Sequence, residues 1–144
     1  MNRKQLQLSV CKALLDRNKR CCGTFINDEE FAFTFDGYSA FVFHKDECIF
    51  DVSKVRKFET LKMLLQGDEK DIEIKPTKEM FLVNNRVIEK YASDDATLEV
   101  FVYADISKSF KEFHFYAYTP LERILVKDDF GRLVGLFLPM RYNG

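Results

Sequence analysis

The chain has 144 residues, 47% of them hydrophobic and 31% charged, with a formal net charge of −1. That length suits one domain over residues 1–144, and that composition is of a folded globular protein rather than a disordered one. No run of eighteen apolar residues is present, which excludes a membrane-spanning helix. The four cysteines include no C-x-x-C pair and stand beside only two histidines, so reduced thiols of a cytoplasmic protein are expected rather than a zinc site.

The opening MNRKQLQLSV is basic, but no long apolar run follows it, so it makes a poor signal peptide. Residues 3–19 are expected to form a helix on the stripe Leu6, Val10, Ala13 and Leu14, with Leu8, Cys11 and Leu15 widening the apolar face. Residues 1–27 carry six basic groups and one acid, a net +5, on a body that is mildly acidic elsewhere. Such an element suits nucleic acid or an acidic partner, or a plain solvated face. FAFTF (31–35) and the strand Tyr38–Phe43 flank Asp36–Gly37, which predicts a hairpin with a two-residue turn and Phe33 opposite Ala40. A third strand is expected at Glu47–Phe50. Residues 53–66 are expected to form a second helix on Val55, Phe58, Leu61 and Leu65, capped by Asp51 or Ser53.

From residue 71 the chain alternates as strands. DIEIK (71–75) is expected to end at Pro76. MFLV (80–83) and RVIEKY (86–91) flank a tight Asn84–Asn85 turn. Strands at 97–105 and 110–118 follow, and 122–128 and 132–138 pair around Asp129–Phe130–Gly131. Two helices packed on antiparallel sheet make the class α+β.

No glycine-rich phosphate loop and no nucleophile elbow occurs. The acidic pairs Glu29–Glu30, Asp94–Asp95 and Asp128–Asp129 fall at expected turns, where carboxylates brace the backbone. No catalytic, cofactor or metal residue is assigned on this basis. His44 and His114 are expected to be structural. A histidine facing a cleft beside two carboxylates would instead favour the alternative, a small hydrolase or nuclease using His and Asp. The aromatic run around Phe110–Tyr118, with Lys108 and Lys111 nearby, is read as core and sheet face.

Residues 120–141, PLERILVKDDFGRLVGLFLPMR, and above all the L-F-L-P-M-R of 136–141, resemble the last hairpin of bacterial DNA polymerase sliding clamps. That resemblance implies a DNA-clamp-like fold and a non-enzymatic binding module that meets replication proteins or duplex DNA. It implies a peptide-binding pocket at Leu138, Pro139, Met140 and Arg141. DNA backbone contacts would come from Lys12, Arg17, Lys19 and Arg20. The family's rings hold several such domains, so this chain would need to form a homo-oligomer to encircle DNA, or else it does not encircle DNA at all.

Overall fold

A computed structural model describes residues 3–15, 21–34 and 36–141. They form a mixed α+β structure with antiparallel sheet, gathered into two compact units, 1–66 and 67–144.

In the first unit, α1 (Arg3–Leu15) begins where the stripe predicts, and Leu6 and Val10 are buried. Leu8 and Leu15 are exposed, so they do not widen the apolar face. Gln7 is buried in their place. Its amide donates to the Glu47 carbonyl at 2.7 Å and accepts from Ile49 N–H at 2.6 Å, which satisfies both ends of a buried polar group. Residues 16–19 of the expected helix lie outside the described residues. Strands β1 (Cys22–Phe25), β2 (Glu30–Thr34), β3 (Ser39–His44) and β4 (Arg56–Lys57) run in the order β4-β1-β2-β3.

The expected β2–β3 hairpin is present, but its register is one residue away from the expected one. Phe33 lies opposite Phe41, and Phe31 opposite Phe43. The cause is Asp36. Its carboxylate accepts Tyr38 N–H, Ser39 N–H and the Ser39 hydroxyl, each at 2.8 Å, with Gly37 at φ 80°, which braces a wider turn than the two-residue one. The slip puts Phe31, Phe33, Phe41 and Phe43 on one face. Phe33 stacks on Phe43 at 5.4 Å and meets Phe50 edge-on at 5.5 Å.

The strand expected at Glu47–Phe50 is replaced by a 3-10 turn at Lys45–Glu47. The His44 imidazole caps it by accepting Asp46 N–H. The helix expected over 53–66 is also corrected. Asp51 caps a 3-10 turn at Val52–Lys54, β4 then pairs in parallel with β1, and only Thr60–Leu64 is α-helical (α2). Val55, Leu61 and Leu65 of the stripe are buried, whereas Phe58 is exposed. β1 captures the segment between them, with Phe58 N–H donating to the Gly23 carbonyl at 2.9 Å.

In the second unit, β5 (Ile72–Val83), β6 (Arg86–Ala92), β7 (Glu99–Tyr103), β8 (His114–Ala117), β9 (Ile124–Lys127) and β10 (Leu133–Phe137) run in the order β10-β9-β8-β5-β6-β7. Asn84 and Asn85 both take positive φ, 50° and 64°, as a tight hairpin turn demands. Pro76 does not end β5. Its missing N–H falls where the β5–β6 ladder bulges, Lys78 turns to φ 71°, and the Thr77 hydroxyl donates to the Lys90 carbonyl across the gap. The strands expected at 97–105 and 110–118 are shorter. Helical turns over Ala104–Ser107 (α3) and Lys108–Phe110 lie between them and carry Phe110 onto Phe137, ring centroids 5.6 Å apart. The β9–β10 hairpin forms as expected.

Two substitutions test this account. A Cβ on Gly23 would stand 2.3 Å from the Ala32 carbonyl oxygen of the paired strand. Gly23→Ala is therefore expected to lower stability by about 1–3 kcal/mol in urea unfolding, as overpacking does. Asp71 and Arg123 form a bidentate ion pair, Nη1–Oδ1 2.7 Å and Nη2–Oδ2 3.0 Å, with side chains only 7% exposed. Asp71→Ala strands a buried guanidinium and is expected to cost about 3 kcal/mol or more.

Candidate functional site

The second unit holds a cleft of about 480 Å³ lined by β5, β6, β8 and the segment that leads into β8. Register explains why it opens there. β5 pairs with β8 only from Ile72 to Ile74, whereas it pairs with β6 from Lys75 onward. Where β5 parts from β8, the wedge between them is lined by side chains rather than closed by a backbone ladder. Tyr91, Ile74 and Phe115 are buried at its base, and Phe113 is half-buried beside them.

The charges that line the cleft sit at different depths. The Lys75 and Lys111 side chains are 58% and 53% exposed, whereas Glu73 is 35% exposed and Glu89 only 12%. Glu89 accepts from the Ser107 hydroxyl at 3.0 Å and from Lys111 Nζ at 3.3 Å. Lys75 faces Asp94 at 3.7 Å. Burial, with the Glu89 charge adding to it, pushes the Tyr91 phenol up to about 12, so it stays neutral at ordinary pH.

His114 stands on the wall. Its Nδ1 is 3.0 Å from Glu73 Oε2 on β5, and its Nε2 is 2.6 Å from Asp129 Oδ1 in the β9–β10 loop. Hydrogen bonds to Asp129 and then Glu73 raise its pKa above the usual 6.5. With a carboxylate on each nitrogen, the fitting species is the imidazolium, which donates twice. His114 is therefore more than a packed sheet residue. It joins three segments beside a cleft. His44 serves as a turn cap, 3.8 Å from Glu29 and 3.5 Å from Asp46.

The other residues singled out from the sequence are spread out. Lys12 is exposed on α1, and Arg17, Lys19 and Arg20 lie outside the described residues. Leu138 is exposed, Pro139 buried, Met140 half-buried and Arg141 exposed. Met140 N–H donates to the Phe101 carbonyl at 2.7 Å, so the tail after β10 is tied to β7, at the opposite end of the strand order. That tie fixes the backbone at Met140. The acidic pairs work in turns. Asp95, bonded to Ser93 and Thr97, is lowered to about 2, and Asp128 accepts Phe130 and Arg132 N–H. Among the described residues, no group of three or more His, Cys, Asp and Glu gathers to hold a metal ion.

Glu73, Lys75, Glu89 and Tyr91 were not singled out from the sequence, and Lys111 was noted only as a neighbour of the aromatic run. The alternation of DIEIK placed Glu73 and Ile74 on opposite faces, and Lys111 with His114 flanks the aromatic run. No local pattern joins those segments. A second exposed apolar surface caps the β5–β6 hairpin, where Met80, Leu82 and Val87 share a face by register.

Met140 tests the tail. Truncation to Ala of this half-buried side chain is expected to lower stability by about 1 kcal/mol, below the range for fully buried methionines, as read by thermal denaturation. An unchanged melting temperature would show that Met140 adds nothing to the packing.

Comparison with protein families, with curated proteins and with solved structures returned no significant match.

Proposed function

We propose that the chain is a non-enzymatic binding module whose cleft in the second unit takes an acidic segment of a partner protein. The carrying observation is the difference in depth among the charges. The Lys75 and Lys111 side chains are each more than half exposed along the cleft, while Glu89, the ion-pair partner of Lys111, is only 12% exposed. Each ammonium has three donors, so a ligand carboxylate can bind without first breaking the existing ion pair. Tyr91, Phe113 and Phe115 supply an apolar base beside the lysines, suited to an aromatic or aliphatic side chain that anchors the segment.

A second reading, a hydrolase using His114, draws support from its place beside the cleft between Glu73 and Asp129. A general base needs a free nitrogen lone pair, and here each ring nitrogen faces a carboxylate. Binding is therefore preferred. The sliding-clamp resemblance retains the paired β9–β10 hairpin as its support, and duplex DNA would then meet α1 through Lys12. The five-residue α2 offers little length for lining a DNA-sized hole.

A synthetic peptide rich in Glu and Asp with one aromatic residue is the direct probe. Titrated calorimetrically against the chain, it is expected to bind with an affinity that falls with salt. The Lys75→Glu, Lys111→Glu double variant is expected to lose roughly tenfold or more, about 1.4 kcal/mol. Absence of binding at low salt would overturn the reading. A hydrolytic activity lost in His114→Ala with the fold intact would put the enzyme in its place.

A further inference from the structure

We propose that His114 is a pH-operated latch that ties the β9–β10 loop to the wall of the cleft. The proposal stands on hydrogen-bond stoichiometry. Imidazolium has two N–H donors and can serve Glu73 and Asp129 together; neutral imidazole has one donor and one lone pair. Once the proton leaves to solvent, one of the two carboxylates faces a lone pair, and that contact turns repulsive. Glu73 is fixed in β5, between β8 and β6 in the strand order, whereas Asp129 sits exposed at the tip of the loop. Asp129 is the partner that leaves.

The surrounding charges set the balance. From β5 come Glu73 and, along the same cleft, Lys75. β9 supplies Lys127, the register partner of His114, whose ammonium lies 5.0 Å from the Tyr116 ring centroid. The loop supplies Asp129 together with Asp128, and Asp128 pairs with Arg132 at 3.2 Å. Lys111 lines the cleft from the segment before β8, pairing with Glu89 of β6; Glu112 follows it in the chain. The two carboxylates at 3.0 and 2.6 Å are the groups in direct contact with the ring, and they favour its charged form.

The loop has its own bracing. Asp128 accepts from Phe130 and Arg132 N–H, and Gly131 N–H donates to the Asp128 carbonyl. Release of Asp129 therefore frees a preformed turn, carrying the exposed Phe130, rather than unravelling it. The latch contributes stability below the usual 6.5 and loses it as pH rises through the higher folded-state value. Where the cleft binds an acidic segment, a consequence that rests on the function proposed above, the same proton also supplies one of its positive charges. Affinity then declines over the same pH window.

Nitrogen-15 NMR titration of the full chain, alone, tests the latch. The His114 ring is expected to titrate above 6.5. Its midpoint should fall in Asp129→Asn and in Glu73→Gln, and the amides of residues 129–131 should move with the same midpoint in the parent chain but not in Asp129→Asn. A His114 midpoint at or below the usual value, no response to Asp129→Asn, or stationary loop amides would each overturn the latch. The acidic peptide is then titrated on either side of the measured midpoint. Failure to bind at both pH values would remove the binding function and leave the latch to stand on the NMR result.

Discussion

The ion pair between Arg123 and Asp71 is the constraint on which the second unit rests. The two residues are 52 positions apart, and their side chains are almost fully buried. Burial of two charges is tolerated here because the geometry is bidentate and the remaining valences are used. Asp71 Oδ2 also accepts Asp68 N–H at 2.7 Å, and the guanidinium lies 5.0 Å from the Tyr118 ring centroid. The pair fixes the start of β5 against the segment that begins β9, with β8 held between. Two residues later β5 presents Glu73, and three later Ile74 lies opposite Phe115. The position of the cleft wall thus follows from one buried pair.

Beyond Ile74, the β5 bulge redirects the strand toward β6 alone, and that divergence opens the cleft. Tyr91, Phe115, Phe137 and Phe110 form a chain of rings with neighbouring centroids 5.0–5.6 Å apart, which packs the base of the cleft against the core. Over that base, each side chain capable of chemistry already has a charged neighbour. On the proposed reading, a ligand would exchange or supplement these ion pairs. The tail that joins β7 through Met140 covers part of the last strand in the order, a common way to protect a sheet edge.

Where local chemistry decides structure, the sequence was legible. The Asn84–Asn85 turn needs two positive φ angles, which asparagine tolerates, and alternating strands flank it. The β9–β10 hairpin and the Asp-braced turns were readable for the same reason. Where a distant partner decides, it was not. The stripe over 53–66 identified three buried residues, Val55, Leu61 and Leu65, but Phe58 is exposed, and parallel pairing with β1 took Arg56–Lys57 out of the helix. The β2–β3 register turned on how many donors Asp36 captures, which a two-residue turn rule does not contain. Leu8 and Leu15 looked like core, yet Gln7 was buried because Glu47 and Ile49 offered it both partners. The cleft was the least visible element: His114 meets partners 41 and 15 residues away.

The central claim is that recognition happens at this cleft. Amide chemical-shift mapping on the nitrogen-15-labelled chain, with the acidic, aromatic-bearing peptide added stepwise, tests it most directly. The account predicts saturable shifts concentrated at Lys75, Tyr91, Lys111, Phe113 and His114. Shifts confined instead to α1, to the Met80–Val87 hairpin or to the tail at Leu138–Arg141 would contradict it.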